Sequence, residues 1–216
     1  MKMKIAPGSL WIAYTLTSRD IVSSLMPESL TLTPCRILED EAALVPSPKL
    51  LFNIYRVDAG PVMHGMRTDV MALGRHKKTG RMHLVILDCL TDTLQWNPVD
   101  GVMGANAYYP RTRPGSWRVR GGRKRHISLD TVRKRPRSID WNFAVESNLA
   151  CYYRGVDMPY EMTFDEDEIM QPVTELNIIS HENTILPHLR SAKPSHVFCH
   201  DHPMTFDVTV PEGFRV

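Results

Sequence analysis

The sequence predicts an α+β fold that is predominantly β, with a curved or closed, barrel-like antiparallel sheet and a few short helices. Short apolar or alternating segments recur along the chain, separated by Pro, Gly, Asn and Asp, a pattern typical of β-rich domains. Only two or three short stretches indicate helices. With about ten strands and so few helices, strong curvature or closure is the economical way to hide strand edges.

Length and composition are those of one globular domain, residues 1–216. The chain is 43% hydrophobic and 23% charged, which is ordinary for a globular protein, and its length allows folding without disulfide bonds. No apolar run reaches the ~20 residues needed to span a bilayer, and the N-terminus has no apolar signal core. The four cysteines are widely spaced, so we expect free thiols in a cytoplasmic protein.

The first part of the chain indicates strands and one short helix. Residues 10–16 form an apolar strand, and Ser18 is a suitable N-cap for a helix that Pro27 ends. Residues 30–37 and 50–57 are the next strands. The apolar face of the helix consists of Ile21, Val22, Leu25 and Met26.

A β-hairpin is predicted from residues 62–73 and 81–90, which flank the polar tip 76–80. Gly80 stands at the tip, where a hairpin turn needs positive φ.

The second part of the chain is more irregular. Residues 92–110 form a loop, 118–132 a basic hairpin, and 139–153 a long strand. Acidic residues 161–168 indicate a helix start that Thr163 could cap, since carboxylates favour the helix N-terminus. Three further strands complete the sheet, at residues 173–179, 196–201 and 205–210.

Arg67 and Asp69 have the same parity on the first hairpin strand, so they point to one face. If that face lines the interior, Arg67 could bind a substrate carboxylate, and Asp69 could orient it or move a proton. His64 precedes them and could act near neutral pH. The alternative is an outward-facing ion pair worth under ~1 kcal/mol, with a structural histidine beside it.

Glu146 interrupts the apolar run of residues 141–153, on the same face as Asn142. Its carboxylate either faces solvent or lies in an interior where burial raises its pKa into the range of a general acid.

The first half of the chain resembles the acetoacetate decarboxylase-like proteins. The similarity lies in residues 11–14 (Trp-Ile-Ala-Tyr), in 26–32 (Met-Pro-Glu-Ser-Leu-Thr-Leu) after the helix, and in the paired strands 65–70 and 82–88. It covers roughly residues 10–107. It implies an acetoacetate decarboxylase-like fold with an enclosed polar pocket.

The chain departs from that family at the residue that defines its decarboxylation. The resemblance implies a Pro-Lys-Lys motif after the paired strands, where a desolvated lysine forms a Schiff base. Here residues 101–107 read Gly-Val-Met-Gly-Ala-Asn-Ala, and no lysine lies between Lys78 and Lys124. The amide of Asn106 cannot form an imine, and Thr15 replaces an arginine of the family. Lysine-based decarboxylation is therefore not expected.

These residues predict a lyase- or hydrolase-type enzyme that uses acid–base chemistry on a small oxygenated carboxylate or keto compound. Arg67 would bind the anion, and Asn106 would donate a hydrogen bond to a carbonyl oxygen. Glu146 or His64 would move the proton, with Asp69 as a further acid–base group. No cofactor is expected, and a homo-oligomer is compatible with the charge pattern.

Residues 196–202 carry three histidines, His196, His200 and His202, which a continuous strand would place on one face. Such a set could hold a divalent ion. It could equally be the polar face of an edge strand, and since no further ligand motif accompanies it, no metal is predicted.

Residues 111–137 are strongly basic, with eleven Lys or Arg residues against one acid, Asp130. This stretch is therefore +10, and because the whole chain is +2, the remainder is −8. The alternative function is a non-catalytic binding protein that uses this segment on an anionic macromolecule. No nucleic-acid motif accompanies it, so we expect instead a solvated hairpin that neutralises residues 161–168 or meets an acidic face of a second subunit.

Overall fold

The computed structural model describes residues 2–16, 20–23, 26–37, 46–58, 64–91, 107–108, 115–121, 125–138, 150–153, 156–184 and 193–209. Its two helices are α1 (Asp20–Ser23) and α2 (Glu166–Ile169). The strands are β1 (Lys2–Ile5), β2 (Ser9–Thr15), β3 (Leu30–Leu32), β4 (Lys49–Asp58), β5 (His64–His76), β6 (Met82–Thr91), β7 (Ala107–Tyr108), β8 (Ser116–Gly121), β9 (Arg125–Arg137), β10 (Ala150–Tyr153), β11 (Val156–Phe164), β12 (Val173–Asn183), β13 (His196–His200) and β14 (Met204–Thr209).

These strands form a single 14-stranded sheet in the order β3-β5-β6-β10-β11-β14-β1-β4-β2-β13-β12-β9-β8-β7, and β4 also pairs with β5. Every described pairing between strands is antiparallel except that of β6 with β10. The predicted class, a predominantly β fold with a curved antiparallel sheet, is confirmed.

Closure into a barrel is the part of that prediction that needs correction. The β4–β5 pairing bends the sheet back on itself, but the sheet continues outward from β4 through β2, β13, β12, β9, β8 and β7. The pairings join seven strands in a circuit, namely β4, β5, β6, β10, β11, β14 and β1. Because further strands extend from this circuit, the sheet as a whole keeps two ends, at β3 and β7. It is strongly curved and not closed as a barrel.

The central strand β4 is buried on both faces. Residues 49–55 are buried without interruption, which explains why β4 reads as a continuous apolar run and not as an alternation. Leu51 and Tyr55 pack on one face with Met71 of β5. Phe52 packs on the other face with Val70. Two apolar layers, one on each side of the sheet, therefore form the core.

The predicted hairpin of β5 and β6 is confirmed. The two strands pair from Arg67–Thr91 to Arg75–Met82, with a bulge after Val70. Gly80 has a φ of 71°, as the turn requires. The basic hairpin is also present, because β8 and β9 pair antiparallel up to Gly121 and Arg125.

Two local predictions were wrong in detail. The strand expected at 30–37 ends at Leu32, and Cys35 forms only an isolated bridge with Ser47. Thr163 lies within β11 and does not cap α2. Asp165 caps it, since its Oδ1 accepts bonds from the backbone N–H groups of residues 167 and 168, at 3.1 and 3.3 Å, and an aspartate is among the strongest caps.

The described part of the chain contains no helix with the length and apolar character that a bilayer crossing requires. The predicted loop at 92–110 and the first part of the strand predicted at 139–153 lie outside the described residues, except for β7 and β10.

Candidate functional site

The register between β4 and β5 builds a buried polar cluster on the inner face of the bend. Arg67 lies opposite Tyr55, and Asp69 lies opposite Asn53. Directly opposed residues share a face of the sheet. All four are buried, and Arg67 is only 2% exposed. The shared parity of Arg67 and Asp69 therefore places both inside the protein.

Asp69 is held at both carboxylate oxygens. The Nε of Arg67 donates to Oδ1 at 2.8 Å, and the hydroxyl of Tyr55 donates to Oδ2 at 2.7 Å. Charge-assisted hydrogen bonds of this length are the strong ones. The outward-facing ion pair considered for these residues is excluded, because the pair is desolvated and its two charges compensate each other.

Further buried polar residues continue this cluster across the sheet. Ser9 of β2 donates from Oγ to Oδ1 of Asn53 at 2.7 Å, and Ser9 lies opposite His200 of β13. Both Ser9 and His200 are 1% exposed. A continuous line of buried polar side chains thus runs over four neighbouring strands, from Arg67 on β5 to His200 on β13.

His64 does not join this cluster. Its parity on β5 differs from that of Arg67, and 48% of its side chain is exposed. Its Nε2 accepts a hydrogen bond from Arg56 at 3.0 Å, and its Nδ1 lies 3.6 Å from Asp58. Glu146 and Asn106, the other two predicted site residues, lie outside the described residues.

A second polar cluster lies on the opposite face of the sheet. Asn183 of β12 donates from Nδ2 to the hydroxyl oxygen of Tyr14 at 3.2 Å, and the Tyr14 hydroxyl also bonds Nε2 of His181. Which of the two groups donates in the bond between Tyr14 and His181 depends on the tautomer of His181. Burial raises the pKa of Tyr14 to about 12, and burial lowers the pKa of His181.

The three histidines at 196–202 do not form a metal site. His200 is buried whereas His202 is exposed, and their ring centroids are 6.4 Å apart. Within the described ranges, no group of three or more His, Cys, Asp or Glu side chains is arranged to hold a metal ion.

The basic strand β9 is neutralised locally. Arg133 makes two hydrogen bonds to Asp201, at 2.8 and 3.1 Å, and Glu175 accepts from Lys134, Arg135 and Arg137. Burial alone would raise the pKa of Glu175, but these three cations lower it. Strand pairing brings β12, which carries Glu175, alongside β9. Arg133, Lys134, Arg135 and Arg137 of β9 are thus paired within the protein.

Sequence reasoning missed Tyr55, Asn53, Ser9 and His200 as members of the buried cluster. Asn53 and Tyr55 could have been identified from the sequence. Their side chains are polar and have the same parity, within residues 50–55 of β4, which are otherwise apolar. Their partner strand, however, follows from tertiary structure alone.

The fold and the cluster define a class: a strongly curved, mostly antiparallel β protein with buried charge on the inner face of the bend. No protein-family model matches the chain, and no curated protein matches it in sequence.

Solved structures do match. The enduracididine biosynthesis enzyme MppR superposes with a TM-score of 0.50 at 11% identity, covering 96% of this chain and 84% of MppR. Acetoacetate decarboxylase from Legionella pneumophila gives 0.48 at 13%, covering 97% and 88%. A further acetoacetate decarboxylase gives 0.48 at 12%, covering 99% and 91%. The chain therefore shares its overall fold with MppR.

Proposed function

We propose that this chain is a small-molecule enzyme that uses acid–base chemistry on an oxygenated carboxylate or keto compound, without a Schiff-base lysine. The observation that carries the proposal is the buried Arg67–Asp69–Tyr55 cluster on the inner face of the bend. A fully buried arginine and aspartate on a curved sheet are costly to fold, and such groups cluster where a protein binds or transforms a ligand.

Arg67 is the proposed anion-binding group. Its guanidinium is a planar fork suited to a carboxylate, and the Nε contact with Asp69 fixes its orientation. Hydrogen bonds from a guanidinium to a carboxylate are strong and geometrically specific. MppR, which shares this fold, is also an enzyme.

Asp69 is the proposed orienting group. Both of its oxygens already accept strong hydrogen bonds, and hydrogen bonds to the charged form favour that form. This supports a role in positioning Arg67 over a role in proton transfer. Glu146 and Asn106 stay as predictions, for proton transfer and for binding a carbonyl oxygen respectively.

Thermal denaturation with pyruvate, the smallest 2-oxo carboxylate, tests the proposal. We expect pyruvate to raise the melting temperature of the wild type, because a ligand at about 100 times its Kd adds ~2.7 kcal/mol to the free energy of unfolding. Arg67→Ala should abolish this increase. Arg56→Gln is the matched control, since Arg56 is an exposed arginine on the neighbouring strand.

An equal increase in the wild type and in Arg67→Ala would contradict the proposed role. Should Arg67→Ala not fold, Arg67→Lys keeps the charge but loses the planar fork. The stabilisation by pyruvate should then be reduced in the lysine variant, and an undiminished stabilisation counts against the proposal.

A further inference from the structure

His200 is a buried imidazole with no hydrogen-bond partner in the part of the chain that the structure describes. It is the last residue of β13 and is 1% exposed, yet neither Nδ1 nor Nε2 makes a hydrogen bond. Buried polar groups are nearly always satisfied, so an exception indicates a ligand, a catalytic role or a bound water.

The surroundings of His200 keep the ring neutral near pH 7. Burial lowers the pKa of His200, and the backbone groups of Ile169 and His202 offset this only in part. The charged or titratable neighbours are the ring of His202, at 6.4 Å, and Asp201. The carboxylate of Asp201 is already bonded to Thr174 and Arg133. A neutral imidazole has one nitrogen that can accept a proton.

His200 stands on the same face of the sheet as the Arg67–Asp69 cluster. It lies opposite Ser9, Ser9 bonds Asn53, and Asn53 lies opposite Asp69. Because neighbouring strands are ~4.8 Å apart, the backbones of β13 and β5 are about 14 Å apart along the sheet. On the shared face, Arg67 and His200 thus lie three strands apart, with Ser9 and Asn53 on the strands between them.

Along this line of buried side chains, as far as the described residues go, Asp69 and His200 are the two groups able to accept a proton. Both oxygens of Asp69 are occupied. His64 is on the surface, and its Nε2 already accepts from Arg56. A site that binds a keto acid through Arg67 still needs a base for the carbon next to the carbonyl.

We propose that His200 is the proton-transfer group of this site, acting on a 2-oxo carboxylate whose carboxylate Arg67 binds. This rests on the proposed function. The neutral ring nitrogen takes a proton from the carbon next to the ketone, and the C–H electron pair forms the enolate. The imidazolium N–H exchanges with solvent, and the ring then returns a proton, or a deuteron in D2O, to the same carbon as the enolate electron pair re-forms the C–H bond. No oxidant, reductant or leaving group is needed.

Exchange of the methyl protons of pyruvate in D2O, followed by proton NMR, tests this step. The wild type should accelerate exchange, and His200→Gln should lower the rate by about 100-fold, the size of a typical general-base contribution. His202→Gln is the matched control, because His202 is the exposed histidine beside the same ring, and its rate should stay within about twofold of the wild type.

The pH profile gives a second readout. The rate should fall as the pH is lowered through the pKa of His200, because the protonated ring cannot accept a proton. Should His200→Gln not fold, nitrogen NMR of the labelled wild type replaces the variant. Pyruvate should then shift the ring nitrogen signals of His200, and unmoved signals would overturn the inference.

The outcomes separate the two proposals. If pyruvate stabilises the wild type through Arg67 but His200→Gln exchanges protons as fast as the wild type, only the role of His200 is refuted. If the wild type is neither stabilised by pyruvate nor active in exchange, the proposed function itself is refuted, and the role of His200 with it.

Discussion

The Tyr55 hydroxyl donates a hydrogen bond to Oδ2 of Asp69 at 2.7 Å, although Asp69 lies opposite Asn53 and not opposite Tyr55 in the strand register. The contact is diagonal across two strands. Together with Arg67, which reaches Oδ1 from the same strand, it surrounds one carboxylate with donors from two directions. The carboxylate is thus fixed in place, and it fixes the guanidinium in turn.

Replacing Asp69 by Asn should strongly destabilise the protein. The substitution leaves the buried charge of Arg67 without its counterion, a change that typically costs ~3–5 kcal/mol in free energy of unfolding. Urea denaturation measures this. Asp58→Asn is the control, since the Asp58 side chain is 58% exposed and its loss should cost under ~1 kcal/mol. Equal losses in the two variants would mean that the Arg67–Asp69 pair is solvated.

Replacing Tyr55 by Phe should cost less, about 1.5–3 kcal/mol, because the ring stays in the apolar layer and only the hydrogen bond to a charged group is lost. Urea denaturation again supplies the measurement. Arg67 still holds the carboxylate in this variant, so stabilisation by pyruvate should weaken without disappearing. A Tyr55→Phe variant as stable as the wild type would show that the bond to Asp69 contributes nothing.

His181 should make stability fall as the pH is lowered. Burial lowers the pKa of His181 in the folded protein. At pH values between the folded and the unfolded pKa of His181, the unfolded chain therefore binds more protons than the folded one. The stability it contributes is complete above the unfolded value near ~6.5 and is lost as the pH falls towards the folded pKa.

Urea titrations between pH 7.5 and about 5 test the role of His181. The decrease in the free energy of unfolding should be smaller in His181→Gln than in the wild type. The same decrease in both would show that other groups, such as His200, carry the pH dependence.

Cys199 should be unreactive in the folded protein. Burial, with the nearby charge of Asp201, raises the pKa of its thiol to about 12, and the thiolate is the reactive form. Alkylation at pH 8 followed by peptide mass spectrometry should leave Cys199 unlabelled in the native state and label it in urea. Rapid native labelling would mean that β13 opens readily.

Local pattern was enough to predict the central hairpin of this fold and part of its site. The alternation and turn residues around Gly80 predict the β5–β6 hairpin correctly. Parity alone predicts that Arg67 and Asp69 share a face. Both conclusions depend on residues close in sequence, where the geometry of a strand leaves little freedom.

The cap of α2 shows the limit of such local reasoning. Thr163 and Asp165 are both suitable cap residues, and the choice between them depends on where β11 ends. That end depends on its pairing with β14, which extends to Phe164 and Phe206. Asp165 is therefore the first residue free to cap the helix.

Strand and turn patterns in the amino-acid sequence determined the fold class, the central hairpin and the common face of Arg67 and Asp69. Only the tertiary structure decided that this face is buried, that Tyr55 completes the cluster and that His200 lies on the same side. The physical reason is that side-chain direction repeats every two residues and can be read locally. Which strands become neighbours depends on contacts between segments more than 100 residues apart, such as Ser9 and His200.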